Sequence, residues 1–345
     1  MYALVYNFRL PILVFFVLVT FDSNAQNTRF SFSEHKMGSP LNIIFYAQDS
    51  VIAKKQARAS FHLIDSLNHI FSNYDSSSEL TRININAGIA KNIASPLMWE
   101  LIMQSKQAYI KSKGAYNIAM GPLTNLWRTA RRLKQFPTQV QIKNSLLLCD
   151  FNKIQLNELE HSIYLSAKGM QLDFGGIGKG YIAQNVVDFL NTQGIPESLV
   201  DAGGDIVLGN APWDKKGWTV GVNQPEKADD LLPEKLQLHN LSVATSGDVY
   251  QFIEHNGKKY SHIIDPATGY GVTSLRNVTV IANDGALADW LATACSILSI
   301  HQAKKLANTM HAELLITELI NNRIQPYSTK GFAQYWKAPL IQEND

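Results

Sequence analysis

A glycine-rich stretch near the middle of the chain constrains the fold more than any other segment. Residues 171–188 have the sequence Q-L-D-F-G-G-I-G-K-G-Y-I-A-Q-N-V-V-D, with four glycines within six residues. The apolar residues after Gly180 recur at spacings of three and four, which predicts a helix. The alternating apolar residues Met170 and Leu172 predict a strand that leads into the glycines. The segment as a whole therefore predicts a strand, a glycine turn and a helix.

Two interpretations of this turn remain open. Glycines let a backbone approach a ligand closely, and the first N–H groups of a helix lack intrahelical partners, so an anion can bind there. Lys179 would add a positive charge for a nucleotide phosphate, and Asp173 would bind a polar group at the edge of the site. The alternative is a purely structural turn before an ordinary helix.

The turn matches neither of two common nucleotide-binding motifs. A Walker A loop places Ser or Thr directly after its lysine to hold Mg²⁺, whereas Gly180 follows Lys179 here. A Rossmann fingerprint has the spacing G-x-G-x-x-G, but Gly176, Gly178 and Gly180 are each two residues apart. Any metal at this turn must therefore be held by residues from elsewhere in the chain.

The N-terminus has the features of an export signal. Arg9 precedes an apolar run over residues 10–21, and S-N-A at residues 23–25 fits a small-x-small cleavage site. The run is shorter than the roughly 20 apolar residues that span a membrane. We expect residues 1–25 to be a cleaved signal peptide, with an uncleaved anchor as the alternative. Residues 26–345 would then form one exported domain, in the periplasm or on the extracytoplasmic face of the inner membrane.

Composition narrows the classes of partner. Hydrophobic residues make up 46% of the chain, enough for a large core, and the net charge is only +2. A charge so close to zero argues against a nucleic-acid partner, because such binding depends on many phosphate contacts. Cys149 and Cys295 are expected to be buried free thiols and not a disulfide. The polar stretch Asn223–Pro233 is predicted to be a surface loop.

Two loop residues near the N-terminus are candidates for contact with a flat ring. Strands are predicted over 28–36 and 41–47, and Met37 lies in the turn between them. Met37 would contact an aromatic ligand or, alternatively, pack as an ordinary core methionine. A long helix then ends before Tyr74, which would stack on a ligand or form part of the core.

Local signals predict further boundaries. They are an N-cap at Ser76, an N-cap and first-turn proline at Ser95-Pro96, a helix beginning at Gly121-Pro122, a capping box at Thr138 and Gln141, strand–turn–strand over Leu199–Asp205, a tight turn at Ser246-Gly247-Asp248, and a strand over Lys259–Ile264.

Two helices carry groups that suit ligands. Ala119, Met120 and Gly121 lie at a predicted helix start, where backbone N–H groups can meet a ligand. Asp289 and Thr293 are four residues apart in the predicted helix Ala286–Ile300, so they share a face. A carboxylate and a hydroxyl arranged in this way make half of an oxygen site for Mg²⁺. The alternative is an exposed aspartate beside a threonine that bonds to its own helix.

Eight ordered motifs together resemble one known family. They are M-G-S at Met37, S-N-Y-D at Ser72, G-P-L-T-N-L-W at Gly121, D-F-G-G-I-G-K-G-Y at Asp173, D-A-G-G-D at Asp201, T-S-G-D at Thr245, H-I-I-D-P-A-T-G at His262 and A-D-W-L-A-T-A at Ala288. The set spans most of residues 26–345 and resembles the ApbE family of FAD:protein FMN transferases.

The resemblance implies an α+β fold of the ApbE type, with mixed or antiparallel sheets and helices packed around a central FAD cleft. It implies Mg²⁺, with Mn²⁺ as a possible substitute, held by the Gly176 carbonyl and the side chains of Asp289 and Thr293. The residues implied to contact FAD are Met37, Tyr74, Ala119, Met120, Gly121, Asp173, Lys179 and Ile263.

The resemblance also implies a reaction. A Thr or Ser hydroxyl of an extracytoplasmic client flavoprotein would attack the FMN-side phosphorus of FAD, and AMP would leave. His262 is implied as the catalytic residue that takes the hydroxyl proton or relays the FMN group. Membrane association would arise only through the client or an uncleaved N-terminus. The alternatives are hydrolysis of FAD to FMN and AMP, against which the Tyr74 ring would shield the phosphate, and non-enzymatic FAD binding.

The sequence departs from the family pattern in three places. Gly178 replaces a common alanine, and Trp290 replaces a small residue and is expected on the apolar side or at the cleft rim. The segment R-T-A-R-R-L-K at residues 128–134 is unusually basic. We expect a solvated helical face there, with a role in client choice as the alternative.

Overall fold

The structure is a computed structural model that describes residues 27–225, 227–247, 251–321 and 323–337. The predicted signal peptide lies outside the described residues. None of the helices that the structure describes combines the length and the apolar character that crossing a bilayer requires.

Strands and helices follow one another along the described residues as set out here. The strands are β1 (Thr28–Lys36), β2 (Ser39–Ala47), β3 (Asn92–Ile93), β4 (Ile154–Asn157), β5 (Ser162–Leu165), β6 (Ser198–Ala202), β7 (Asp205–Leu208), β8 (Trp218–Gln224), β9 (Lys227–Leu238), β10 (Ser242–Gly247), β11 (Phe252–His255), β12 (Lys258–Ser261), β13 (Arg276–Ala282), β14 (Glu313–Ile320) and β15 (Arg323–Ser328). The α-helices are α1 (Ser50–Phe71), α2 (Glu79–Ile85), α3 (Pro96–Lys111), α4 (Gly121–Leu133), α5 (Gln139–Leu146), α6 (Gly178–Thr192), α7 (Gly285–Ile297) and α8 (Ile300–Thr309).

A large antiparallel sheet forms the centre of the fold. Its strand order is β1-β2-β6-β7-β10-β13-β14-β15, and every pairing among the described strands is antiparallel. A three-stranded sheet, β3-β5-β4, and the hairpins β8-β9 and β11-β12 surround it. Helices therefore accompany antiparallel sheets, which confirms the predicted α+β class.

Both faces of the large sheet are buried. Side chains alternate between the two faces along each strand, so one strand can contribute to the core on both sides. On one face Leu41, Ile43 and Phe45 of β2 belong to the main core, together with residues of α1, α6 and α7. On the other face Tyr46 packs with Trp218 and other residues of the β8-β9 hairpin.

A third apolar cluster attaches α4 to the loop after β12. Trp127 of α4 is fully buried there, and its indole N–H donates to the Gly269 carbonyl at 2.9 Å. Because Gly269 ends the turn that begins at Asp265, this bond fixes α4 beside the segment that carries His262.

Several local predictions are confirmed. The β1-β2 hairpin turns at Met37-Gly38, and β6 and β7 flank Gly203-Gly204. Ser95 caps α3 with Pro96 in its first turn, and Thr138 and Gln141 form the capping box of α5. Cys149 and Cys295 are buried free thiols.

Two predictions near the site were wrong at the level of elements. Met170–Leu172 is not a strand, because the Asn84 side chain takes both backbone groups of Leu172, at 2.7 Å and 3.0 Å. The strand predicted over Lys259–Ile264 ends at Ser261, so His262 lies in the loop that follows. In addition, the cap of α2 is Ser78 and not Ser76, since the Ser78 hydroxyl accepts from Thr81 N–H.

Two predicted irregular segments are in fact strands. Residues of Asn223–Pro233 belong to β8 and β9, and their polar sequence resembles that of a loop. Ser246 and Gly247 pair with Val278 and Asn277 in the large sheet, so no tight turn begins there. Asp248, the last residue of that predicted turn, lies outside the described residues.

Candidate active site

The glycine turn leads directly into α6. Asp173 donates its backbone N–H to the Ile118 carbonyl at 2.8 Å, and its carboxylate accepts from Gly175 N–H at 2.7 Å. Gly178 N–H then donates to the Phe174 carbonyl at 2.8 Å, and the helix begins. No side chain of the N-cap residue Ile177 bonds to the first turn, so the helix N-terminus depends on partners from elsewhere.

Helix α7 supplies that partner through an unusually close crossing. A Cβ on Gly180 would collide with the Gly285 carbonyl, and a Cβ on Gly285 would collide with the Gly180 carbonyl. Only glycines allow this backbone contact. The crossing places Asp289, one turn further along α7, against the start of α6.

Asp289 is a buried carboxylate at a helix N-terminus. It is 4% exposed and accepts from Gly180 N–H at 3.1 Å. Burial, followed by the nearby Asp205 carboxylate, raises the pKa of Asp289 well above its usual value. A buried carboxylate in this state favours a cation beside it. The alternative of an exposed aspartate at this position was therefore wrong.

Thr293 lies one turn beyond Asp289 and meets the glycine turn. A Cβ on Gly176 would lie only 2.8 Å from the Thr293 hydroxyl oxygen. The backbone at Gly176, the Thr293 hydroxyl and the Asp289 carboxylate thus surround the same end of α6. This juxtaposition links segments more than a hundred residues apart.

Lys179 points toward the large sheet from the first turn of α6. Its ammonium group lies 2.6 Å from the Asp205 carboxylate at the start of β7. Burial opposes the charge of Lys179, but Asp205, Asp289 and Asp201 outweigh it and raise the pKa of the lysine. Lys179 is therefore a fixed cation beside the oxygen ligands.

The donor set at the end of α6 fits a hard divalent cation. It contains one carboxylate, one hydroxyl and the backbone at Gly176, and Mg²⁺ prefers oxygen ligands while keeping sites for phosphate and water. Among the residues that the structure describes, no three His, Cys, Asp or Glu side chains cluster as a metal site. A metal here would therefore have few protein ligands, as Mg²⁺ bound to a nucleotide does.

Asp173 organises a second group of side chains. Its carboxylate accepts from Asn73 and from Thr124, each at 2.7 Å, and lies 3.5 Å from the Arg128 guanidinium. The Arg128 guanidinium also lies 4.3 Å from the centre of the Tyr74 ring. Tyr74 is 77% exposed, so its outer face is open to a ligand.

The predicted FAD contacts at the start of α4 are largely buried. Ala119 N–H donates to the Asn117 side chain at 2.8 Å, and Gly121 N–H donates to the Gln171 carbonyl at 3.1 Å. These two amides are therefore not free for a ligand, contrary to prediction. Met120 is buried in the third cluster, and contact between this segment and FAD stays a prediction.

Met37 lies in the turn between β1 and β2, and Ile263 lies in the loop after β12. Met37 has a left-handed backbone with φ of 52° and packs in part against the main core. Its turn meets the one at Gly203, where a Cβ would collide with the Ser39 hydroxyl. Ile263 is buried, and both its N–H and its carbonyl are bonded within the protein.

His262 is poised as a neutral base. Its backbone N–H donates to the Gln251 carbonyl at 2.8 Å, while its Nδ1 is buried with no protein partner among the described residues. Burial, and then the charges of Arg131 and Lys179, lower the pKa of His262 to about 4. Its imidazole is consequently neutral at pH 7.

An open groove of about 400 Å³ borders the loop that carries this histidine. Tyr260 and Asp265, on either side of His262 in the chain, line it together with Arg276. Ser296, one turn beyond Thr293 on α7, lines the opposite side. The groove therefore adjoins both the histidine loop and the helix that carries Asp289.

Three site residues have roles in the structure that differ from those predicted. The two acids of the D-A-G-G-D motif are candidate ligands or, alternatively, turn residues by sequence. In the structure Asp205 pairs with Lys179, whereas Asp201 accepts from Gly204 N–H at 2.8 Å within its own turn. Arg128 and Arg131 are partly buried, although they belong to the basic segment predicted to be a solvated face. Trp290 is buried against the main core, as one of its two expected placements required.

Comparisons with known proteins identify the family of this chain. A sequence profile of the ApbE family matches residues 37–316. A protein of Klebsiella pneumoniae named "FAD:protein FMN transferase" is 33% identical over 267 residues, which are 77% of this chain and 81% of that protein. A protein of the same name from Treponema pallidum is 31% identical over 257 residues, covering 70% of this chain and 71% of that protein.

Solved structures show the same fold. The flavin transferase ApbE from Vibrio cholerae superposes with a TM-score of 0.80 at 24% identity, covering 90% of this chain and 99% of that one. The ApbE protein from Thermotoga maritima superposes with a TM-score of 0.81 at 23% identity, covering 90% and 100%. The resemblance seen in the eight motifs is thus confirmed, and the chain belongs to the ApbE family.

Proposed function

We propose that this chain is a Mg²⁺-dependent FAD:protein FMN transferase that acts on an extracytoplasmic client flavoprotein. It would move the FMN moiety of FAD onto a Ser or Thr hydroxyl of the client and release AMP. One observation carries the proposal above all others. The glycine turn, Lys179 and the Asp289–Thr293 pair converge on the N-terminus of a single helix.

The convergence suits the diphosphate of a dinucleotide. The N-terminus of α6 carries partial positive charge, and Lys179 adds a full one. Asp205 holds the lysine in place at 2.6 Å. Asp289, Thr293 and the Gly176 carbonyl would hold Mg²⁺, which when bound neutralises diphosphate charge and so stabilises phosphoryl transfer.

The flavin end of FAD would lie toward Tyr74. The exposed face of this ring offers a stacking surface, and Met37 would add an apolar contact, as the family resemblance implies. Asp173, fixed by Asn73 and Thr124, would accept a hydrogen bond from a polar group of the ligand.

His262 would act as the general base. An O–P bond forms between the acceptor hydroxyl oxygen and the FMN-side phosphorus, while the bond from that phosphorus to the bridging oxygen breaks. AMP leaves with the electron pair of the broken bond, and the hydroxyl proton passes to the imidazole of His262. A neutral imidazole is required for this step, and its lowered pKa supplies one.

The groove beside the loop of His262 offers the acceptor a place to approach. It adjoins the histidine loop and Ser296 on α7, so a client segment there would reach toward both His262 and the metal ligands. The N-terminal sequence supports export, because residues 1–25 fit a cleavable signal. Contact with a membrane would then come only through the client or an uncleaved N-terminus.

Hydrolysis of FAD to FMN and AMP is the second candidate. The observation in its favour is the 77% exposure of Tyr74, because a side chain so exposed leaves its part of the site open to water. Simple FAD binding is less favoured, since it requires neither the Asp289–Thr293 pair nor a buried, unpartnered imidazole nitrogen.

A single incubation separates these functions. The protein without residues 1–25 is mixed with FAD, Mg²⁺ and a candidate extracytoplasmic flavoprotein, and the client mass and free AMP are both measured. We expect the client to gain the mass of FMN and AMP to appear in equal amount. His262→Ala should reduce both by at least about 100-fold, while His301→Ala, on the exposed face of α8, should leave both unchanged. AMP without labelled client would instead establish hydrolysis, and neither product would leave binding alone.

A further inference from the structure

The crossing of α6 and α7 contains a pair of matching hydrogen bonds. Asp289 lies four residues after Gly285, the crossing glycine of α7, and its carboxylate accepts from Gly180 N–H at 3.1 Å. Gln184 lies four residues after Gly180, the crossing glycine of α6, and its side-chain oxygen accepts from Gly285 N–H at 3.1 Å. Each helix therefore supplies one side-chain oxygen, one turn past the contact, to a backbone N–H of the other helix.

Both of these N–H groups need a partner from outside their own helix. Gly285 is the first residue of α7 and Gly180 is the third residue of α6, and the first four N–H groups of a helix have no intrahelical acceptor. Both glycines are buried, so a donor left without a partner there would be costly. The N-cap side chain of α7, Asp284, bonds to Leu287 N–H at 2.8 Å and leaves Gly285 N–H to Gln184.

Gln184 is held in the orientation that this bond requires. It is half-buried, and its amide nitrogen donates to the Asp188 carboxylate, one turn further along α6, at 3.0 Å. A carboxamide carries both an acceptor and a donor, so the bond to Asp188 turns the oxygen toward Gly285. The chain of contacts thus runs from the exposed Asp188, through Gln184 and the start of α7, to the buried carboxylate of Asp289.

The glycine contact and the two hydrogen bonds have different effects on the helices. A Cβ on Gly180 or Gly285 would collide with the carbonyl of the other, so the glycines set how closely the helices approach. The hydrogen bonds fix how the helices are placed along one another. Without the Gln184 acceptor, Gly285 N–H would be buried and unpaired, and the start of α7 would move to recover a partner. Asp289, one turn further along α7, would move with it.

We propose that Gln184 is a positioning residue, which holds the start of α7 so that Asp289 stays at the N-terminus of α6, where the metal would bind. The inference rests on the proposed Mg²⁺-dependent function. Residues that orient a metal ligand without touching the ion change the affinity for the metal when they are replaced. Gln184 should therefore act on the affinity for Mg²⁺ more than on the rate at saturating Mg²⁺.

Calorimetric titration of Mg²⁺ into the FAD-saturated protein measures this effect and requires no turnover. Gln184→Met removes the acceptor but keeps a side chain of similar length, and Gln193→Met makes the same change at the exposed C-cap of α6. We expect Gln184→Met to bind Mg²⁺ at least about tenfold more weakly than the wild type, with Gln193→Met unchanged. In the transfer assay, the Mg²⁺ concentration that gives half the maximal rate should rise by the same factor, while the rate at saturating Mg²⁺ stays within about twofold.

A paired exchange provides the rescue. Gln184→Glu/Asp188→Asn has the net charge of the wild type, and its glutamate carboxylate can accept from Gly285 N–H and from the new carboxamide. We expect this double variant to bind Mg²⁺ within about threefold of the wild type. Gln184→Asn, whose side chain is shorter by one methylene, tests the same bond if Gln184→Met does not fold.

Three results would decide against the inference. Wild-type Mg²⁺ affinity in Gln184→Met contradicts it even if the variant unfolds more easily, because Gln184 would then only stabilise the helix pair. Equal weakening in Gln193→Met contradicts it as well, and so does a double variant that binds Mg²⁺ as weakly as Gln184→Met. If the affinities follow the expected order but neither AMP nor labelled client appears, the transferase function is rejected and the role of Gln184 stands, so the two failures remain distinct.

Discussion

His262 shows how one residue acquires a chemical role from its surroundings. In the unfolded chain a histidine has a pKa near 6.5, about half protonated in mildly acidic solution. In the fold, burial and two nearby cations lower that pKa to about 4. The neutral form, which alone can accept a proton, is thus maintained across the physiological range.

The pH dependence of the reaction follows from this shift. Because His262 acts as a base, activity requires its neutral form, which dominates above the lowered pKa of about 4. We expect kcat/KM for FAD to stay level from pH 8 down to about pH 5 and to fall only as the pH approaches 4. The measurement is a pH profile of initial transfer rates at a fixed client concentration.

The same shift couples to stability with a definite sign. Between the folded pKa of about 4 and the unfolded value near 6.5, the unfolded chain binds more protons, so this residue favours unfolding as the pH falls through that window. His262→Gln should therefore lose less stability than the wild type between pH 6.5 and 4.

The pH profile of transfer gives the contrary result for the same residue. A transfer rate that has already fallen by half near pH 6.5 would contradict a lowered pKa of His262.

At the scale of elements, the crossing of α6 and α7 creates the site. The two helices touch backbone to backbone at Gly180 and Gly285, and this contact brings Asp289 to the N-terminus of α6. Larger residues at the crossing would separate the helices and withdraw the carboxylate from the glycine turn.

Gly180→Ala tests the crossing. Its Cβ would meet the rigid Gly285 carbonyl, so we expect a loss of about 1–3 kcal/mol in the free energy of unfolding, with transfer activity reduced as well. Chemical denaturation is the measurement. Gly178→Ala is the matched control, because its Cβ would make only ordinary contact with Phe174 at 3.6 Å. We expect Gly178→Ala to be neutral or slightly stabilising. Equal losses in the free energy of unfolding for both variants would contradict a specific requirement for glycine at position 180.

The elements differ in how far local sequence determines them. The capping signals of α3 and α5 lie within four residues, so the sequence predicts both starts correctly. Met170–Leu172 has a strand pattern, but a side chain from α2 takes its hydrogen bonds. The extent of β10 at Ser246 depends on pairing with Val278, which no local pattern contains.

At the scale of the whole molecule, the large sheet aligns motifs that are far apart in the chain. Lys179 and Asp289 were predicted from their own motifs and from a family resemblance, and the fold brings them to one helix end. The Lys179–Asp205 pair and the bond from Gly285 to Gln184 were not predictable, because each depends on where α6 packs. Residue types could be predicted from sequence, whereas their partners required the tertiary structure.

The same architecture separates two ends of the cleft. The oxygen ligands and Lys179 lie where α6 and α7 cross, while Tyr74, Asp173 and Arg128 lie on the other side of the glycine turn. A dinucleotide with a charged centre and an aromatic end fits this division, since each end of the cleft offers matching chemistry. We therefore propose that the α6–α7 crossing holds a divalent ion at the diphosphate.

Calorimetric titration of Mg²⁺ into the FAD-saturated protein tests whether the α6–α7 crossing binds the ion. Asp289→Asn removes the charge but keeps an oxygen that can accept from Gly180 N–H, and Asp188→Asn, on the exposed side of α6, is its control. We predict that Asp289→Asn binds Mg²⁺ at least about tenfold more weakly than the wild type, while Asp188→Asn is unchanged. Wild-type Mg²⁺ affinity in Asp289→Asn would contradict the account.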